Sequence, residues 1–340
     1  PYVSTEVIYT NRDKSIHYGA TITRPKGNGP FPALLLISGS GPQNRDEELF
    51  GHKPFAVVAD YLTRKGYLVL RVDDRGVGQT TGNHQTATSE DFAGDAGVGL
   101  DYLRSLPEVD KTKIGLLGHS EGGMIAQMLA AERNDIGFVI LLAAPGEKTI
   151  DLMAHQNEAV LQAAGLSKEN IASYLSLYKP LTLAITSSAS DKAAKTAATQ
   201  IVNDWLKKTP KQTALVTTGI TDEKTKEAFI NAFNRSLNTP WFKYFFRYDP
   251  APFVKKIKAS VLALNGDRDI QVVSTHNLTG LKAMLQKSRA KQFDVIELNG
   301  VNHLFQRCTK CTLAEYGQLE ETIAPDVLET IGQWLEKNVK

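Results

Sequence analysis

Short apolar runs alternating with helical periodicity constrain this chain more than any other feature. Ala33-Leu34-Leu35-Leu36-Ile37, Tyr67-Leu68-Val69-Leu70, Ile114-Gly115-Leu116-Leu117 and Phe138-Val139-Ile140-Leu141-Leu142 read as strands. A parallel sheet covered by helices on both faces shows water neither face, so its strands are continuously apolar. Between the runs lie a helix carrying Phe55, Val58, Ala59 and Leu62, closed by Gly66, and further helices over 92–106 and 121–133. This β-α-β-α-β rhythm predicts a doubly wound, mostly parallel α/β sheet. Two earlier strands, 6–9 and 16–23, flank a turn at Asn11-Arg12-Asp13.

The rhythm stops near Pro145. Residues 147–250 are mostly helix formers, with an Ala/Lys/Thr-rich stretch at 187–199 that reads as a polar helix face. They end on an aromatic cluster, Trp241, Phe242, Tyr244, Phe245, Phe246 and Tyr248. Strand and helix then alternate again through Val261-Leu262-Ala263-Leu264, a helix at 277–285, Val295-Ile296-Glu297-Leu298 and a last helix at 325–338. The expected organisation is an α/β core of 1–146 and 251–340, interrupted by a helical cap insertion at 147–250. That segment is too long for a loop without structure of its own.

With 39 basic and 37 acidic side chains the net charge is only +2, which argues against a nucleic-acid or anionic-membrane partner. No apolar run approaches the ~20 residues that cross a bilayer. The chain begins at Pro1 without a basic and apolar leader. One expectation is therefore loss of an N-terminal segment on export to the periplasm or beyond, the other a cytoplasmic location. The two cysteines, Cys308 and Cys311, lack the further ligands a zinc site needs. A local disulfide is expected of them, and with it an oxidising compartment.

Chemistry enters at Gly118-His119-Ser120-Glu121-Gly122, between an apolar strand and a helix carrying Met124, Ile125, Met128 and Leu129. A serine on so sharp a strand-to-helix turn needs small flanking residues and points its hydroxyl clear of the sheet. The helix N-terminus beside it favours developing negative charge. Ser120 is thus the expected nucleophile, and a hydroxyl needs a base. In folds with this elbow the acid and then the base follow in sequence. His303, in the loop after the strand at 295–298, is the expected base; His276, at a helix start, reads as a surface or capping residue. The spacing Gly266-x-x-Asp269-x-x-Val272 selects Asp269 as the acid over Asp267, a turn or ion-pair residue.

Two backbone N–H groups should receive the oxyanion: that of Glu121 and one from Ser38-Gly39-Ser40-Gly41-Pro42, with Ser40 preferred and Gly41 the alternative. Gly41, Trp241 and Phe245 are the expected substrate-binding positions. Asp73-Asp74-Arg75-Gly76 reads as a structural ion-pair motif. Gln43-Asn44-Arg45-Asp46-Glu47-Glu48 is either a structural charge cluster or, through Arg45, an anchor for a polar substrate group.

Together, Ser38-Gly39-Ser40-Gly41-Pro42-Gln43-Asn44-Arg45-Asp46, Asp73-Asp74-Arg75-Gly76, Gly118-His119-Ser120-Glu121-Gly122-Gly123, Gly266-Asp267-Arg268-Asp269 and Asn302-His303 resemble bacterial α/β-hydrolase carboxylesterases. These are of the serine-aminopeptidase (S33-like) or dienelactone-hydrolase-like kind. The resemblance implies an α/β-hydrolase fold, hydrolysis of esters with small to medium acyl or aryl groups, and neither cofactor nor metal. Asn44 and Gln79-Thr80 depart from the family pattern, and Cys308-x-x-Cys311 lies outside it. A serine peptidase or aminopeptidase is the alternative, with Glu121 or Glu47 to hold a substrate amine. A non-catalytic binding module on the same scaffold is the third reading.

Overall fold

The computed structural model describes residues 2–339. Its strands are β1 (Tyr2–Thr10), β2 (His17–Pro25), β3 (Phe31–Ile37), β4 (Leu68–Val72), β5 (Val109–His119), β6 (Phe138–Leu142), β7 (Ser260–Gly266) and β8 (Phe293–Leu298). They form one sheet in the order β1-β2-β4-β3-β5-β6-β7-β8. β1 pairs antiparallel with β2, and β2 with β4; all other pairings are parallel. The helices are α1 (Pro54–Arg64), α2 (Ser89–Ser105), α3 (Glu121–Glu132), α4 (Thr149–Ala163), α5 (Lys168–Ser187), α6 (Asp191–Leu206), α7 (Lys211–Thr218), α8 (Glu223–Leu237), α9 (Pro240–Phe245), α10 (Ala251–Val254), α11 (Ser274–Leu285) and α12 (Pro325–Asn338).

Two compact units emerge, Pro1–Glu147 with Asp249–Lys340, and Lys148–Tyr248. In the first, Leu34, Val69, Leu116, Ile140 and Leu262 are essentially inaccessible to water, as strands covered on both faces must be. β5 starts five residues before its apolar run, at Val109. Its first part, Asp110-Lys111-Thr112-Lys113, lies outside the ladder with β6, which covers only Gly115–His119. The apolar signal therefore marks the doubly paired half of the strand and misses the other.

The second unit is helical throughout, from α4 to α9. α6 shows why the Ala/Lys/Thr-rich stretch folds: Ala194, Ala198, Val202 and Trp205 are buried at helical spacing while the lysines and threonines between them face water. Ser190 caps this helix, its Oγ accepting the Ala193 N–H. Leu177, Leu181 and Ile185 of α5 and Ile230 of α8 complete the apolar core with them. Among the described residues no helix is long and apolar enough to cross a membrane.

Candidate active site

The strand-to-helix turn between β5 and α3 holds Ser120 at φ 53° and ψ −116°, a strained conformation that surrounding structure must impose. Ser120 N–H donates to the Leu142 carbonyl of β6 at 2.8 Å, and Gly123 N–H to the Ser120 carbonyl at 3.0 Å. The glycines are required by contact. A Cβ on Gly118 would lie 2.2 Å from the Gly122 carbonyl oxygen, and one on Gly122 2.0 Å from that of Ile37.

From the loop after β7, Asp269 places Oδ2 2.7 Å from Nδ1 of His303. Its Oδ1 accepts the N–H groups of Gln271 at 2.8 Å and Val272 at 2.9 Å. Both side chains are buried. Asp267, by contrast, accepts the Gly300 N–H at 2.6 Å and thereby ties the two loops together. His276 is exposed on α11. The structure thus brings Asp269 and His303 into direct contact, while Asp267 braces the two loops.

His303 sits in a tight turn built around Asn302, whose Oδ1 accepts the N–H groups of Leu304 and Gln306, both at 3.0 Å. Phe305 there has φ 60°. Asn265, fully buried, donates to Asp269 Oδ2 at 3.2 Å and accepts from Asn277 at 2.8 Å. Asn277 in turn donates to the Ala144 carbonyl at 2.8 Å, just past β6. Gln271 donates to the Tyr316 hydroxyl at 3.3 Å; burial raises that hydroxyl's pKa above the ordinary phenol value. Asn277 and Tyr316 do not stand out in the sequence, because their partners come from other loops.

The loop after β3 is held at both ends by Asp74. Ser38 Oγ donates to Asp74 Oδ1 and Gln43 N–H to Oδ2, each at 2.8 Å. Burial, reinforced by the nearby Glu121 and Glu47 carboxylates and only partly offset by those hydrogen bonds, pushes the Asp74 carboxyl up to about 7. Gly39 N–H is taken by Glu47 at 2.6 Å, so this N–H of the loop is already engaged within the protein. Glu121 is the first residue of α3, and its carboxylate accepts from Ser89 Oγ at 2.5 Å. A cavity of about 50 Å³ adjoins the loop, with Ser38, Gly39, Gly41, Asp74, Glu121 and Phe92 in its wall.

Arg45 does not reach outward for a ligand. Its guanidinium spans Asp73, at 3.0 and 2.6 Å, with further bonds to Thr21 at 3.0 Å and Gln79 at 2.8 Å. Arg75 pairs with Asp95 at 2.8 Å, so both motifs are structural. In the helical unit, Trp241 stacks on Phe245 with ring centroids 4.9 Å apart, and Phe245 meets Phe246 edge-on at 5.8 Å. Phe245 is buried and Trp241 half-buried. Cys308 and Cys311 form a disulfide.

Comparison with known proteins agrees with this architecture. An esterase of Pyrococcus furiosus superposes with a TM-score of 0.59 at 14% identity, covering 100% of this chain and 92% of that one. An α/β hydrolase from a Penicillium species gives 0.56 at 16% identity, with 99% of each chain covered. The fold is the α/β-hydrolase fold. Esterase EstD of Thermotoga maritima is 26% identical over 318 residues, 93% of this chain but 65% of its own length. This chain thus spans just under two-thirds of that curated relative. The family model for X-Pro dipeptidyl-peptidases (S15) matches residues 16–293. Sheet order, serine elbow and sequence match converge, and the chain belongs to the S15 family of X-Pro dipeptidyl-peptidases.

Proposed function

We propose that this protein hydrolyses carboxylic esters of small to medium acyl or aryl groups through an acyl-enzyme on Ser120. The observation that carries the reading is the buried Asp269–His303 contact of 2.7 Å, set beside a serine whose backbone is held at φ 53°. His303 accepts the Ser120 proton as Oγ attacks the ester carbonyl. Asp269 keeps Nδ1 protonated and stabilises the imidazolium that forms. The N–H groups of Glu121 and Ser40 receive the developing oxyanion. His303 then gives its proton to the leaving alcohol, and water repeats the cycle on the acyl-enzyme.

The family match keeps peptide hydrolysis as the second reading. Two features favour esters. The relative matched over 93% of this chain is named an esterase. The carboxylates suited by sequence to a substrate amine are engaged elsewhere, Glu47 by Gly39 and His119, Glu121 by Ser89. The helical insertion leaves the core immediately after β6, and its role as a cap that sets acyl preference through Trp241 and Phe245 is part of the same proposal. The test is a panel of aryl esters against aminoacyl and X-Pro arylamides on one preparation, with fluorophosphonate labelling mapped to the modified serine. Turnover of the esters with label on Ser120 is expected. Faster turnover of X-Pro amides would replace the reading, and label elsewhere would remove Ser120 from it.

A further inference from the structure

A second histidine–carboxylate pair lies behind the proposed triad. Glu47 and His119 are both almost completely buried. Glu47 Oε1 receives Gly39 N–H at 2.6 Å and His119 Nδ1 at 2.9 Å. On the opposite side of the ring, His119 Nε2 lies 3.0 Å from the backbone carbonyl of His303. A carbonyl oxygen can only accept, so Nε2 must carry a proton. With a carboxylate on the other side, Nδ1 carries one too, since the carboxyl is the stronger acid of the two. Glu47 is held at φ 51°, an unfavourable conformation for a residue with a side chain. That strain is retained where it delivers the carboxylate to this point.

We propose that His119 is a permanent imidazolium paired with Glu47, and that the pair is a positioning device. It sets the oxyanion loop, the serine elbow and the base loop in one register. The inference rests on the triad reading above. Gly39 precedes Ser40, His119 precedes Ser120, and the carbonyl belongs to His303 itself, so one ion pair touches all three parts of the machinery without meeting substrate. Its positive end faces His303, the ring centroids being 4.8 Å apart. Burial depresses His119, but the Glu47 carboxylate, the His303 carbonyl and the Asp269 charge together raise its pKa above the ordinary imidazole value.

The surroundings suit such a pair. The titratable groups facing His119 are Glu47, His303 and, beyond it, Asp269; Asp74 faces Glu47 from the loop after β4. The remaining wall, Phe55 and Val58 of α1, Leu142 of β6, Leu304, Phe305 and Ile323, is apolar. A low local dielectric strengthens the attraction and makes removal of either partner costly.

Two measurements test the proposal. The first is the protonation of His119 in ¹⁵N-histidine-labelled protein at about pH 8, where an ordinary histidine is neutral, with His119→Gln to assign the signal. Both ring nitrogens protonated is the expected result, and a neutral ring overturns the proposal. The second is Glu47→Gln, which keeps shape and removes charge. Turnover of an aryl acetate should fall about tenfold in kcat with KM within about twofold, since the oxyanion and base geometry loosens without loss of substrate contacts. The acid limb of kcat/KM should move up by roughly half a unit as the positive neighbour disappears. Wild-type turnover overturns the proposal. So does a loss matched by fewer fluorophosphonate-titratable sites with the acid limb unmoved, because that is a folding defect alone. If Glu47→Gln does not fold, the histidine signal decides. If the wild-type protein takes no fluorophosphonate at Ser120, the ester-hydrolase reading fails while the state of His119 still decides the ion pair.

Discussion

The α/β unit and the helical unit bury different things. In the α/β unit the buried polar side chains include Ser38, Glu47, Asp73, His119, Glu121, Asn265, Asp269, Asn277, Asn302, His303 and Gln306, and most of them bond to one another or to loop backbone. In the helical unit those described are Thr149, Thr182, Thr186 and Asn234. Thr186 merely returns its hydroxyl to the Thr182 carbonyl one turn back. Burying a polar network is costly unless every member is satisfied. Its concentration in loops at the carboxyl ends of the strands shows where conformational precision is required. The helical unit is held by apolar packing, which tolerates repacking at similar volume.

The largest effect that separates the two units should come from Ser120→Ala or His303→Ala. Each should lower kcat/KM on an aryl acetate by about 10⁴ to 10⁶, alike because triad members act as a unit, with the melting temperature nearly unchanged. Retention of a tenth of the activity by either would take the chemistry out of this site. Next comes Asp269→Asn, which leaves His303 in the wrong tautomer and should lose about 10³ to 10⁴ in kcat. Asp267→Asn disturbs only the brace to Gly300 and should lose about tenfold or less. Equal losses would mean that either carboxylate can serve the base.

In the helical unit, Leu181→Ala should instead destabilise the protein by about 2 to 5 kcal/mol, because Leu181 is fully buried and a cavity remains. Measured below the unfolding transition, its kcat on a minimal acetyl ester should stay close to wild type. A collapse of kcat in folded protein would break the contrast between the units. Within the α/β unit, Asp74 gives a smaller and pH-dependent effect. Its carboxyl titrates near 7 in the native state against about 4 in an unfolded chain. The native state therefore holds a proton that the unfolded chain has lost. The resulting stability is fully present below about pH 4 and disappears as pH rises through about 7. Asp74→Asn should be less stable than wild type at acid pH, and the gap should narrow toward pH 8 in thermal melts. A gap that widens with pH would mean Asp74 is a native carboxylate.

What the sequence made legible follows the same division. The parallel strands show as apolar runs because both faces are covered, and Ser120 shows because its elbow needs Gly118 and Gly122 at fixed offsets. Asp269 and His303 could be placed because each follows a recognisable strand. The Glu47–His119 bridge and the Asn265–Asn277 relay could not. Glu47 lies 72 positions from His119, and His119 184 from the His303 carbonyl it meets. No local period records such contacts. The helical unit could be read only as helix-rich, since a buried alanine in α6 looks like an exposed one until its partners on α5 and α8 are known.

The smallest effect should come from the disulfide between Cys308 and Cys311, though it lies only a few residues from His303. A link across so short a loop removes little freedom from the unfolded chain, about 2 kcal/mol at most by loop-closure entropy. The native turn has a second brace. The Glu315 carboxylate accepts the N–H groups of Thr309 at 3.2 Å, Lys310 at 2.9 Å and Cys311 at 2.6 Å. Cys308 N–H also reaches the Gly300 carbonyl at 3.3 Å, so the strand-like contact leading back to His303 does not depend on sulfur. Native protein should show no titratable thiol before reduction. The double substitution Cys308→Ser with Cys311→Ser should lower the melting temperature by a few degrees and leave kcat and KM unchanged within about twofold. Glu315→Gln in that background should cost more than either change alone, because both braces act on one turn. A fall in kcat on breaking the disulfide alone would place Cys308–Cys311 among the supports of the base and move the edge of the catalytic network outward to the chain's last loop.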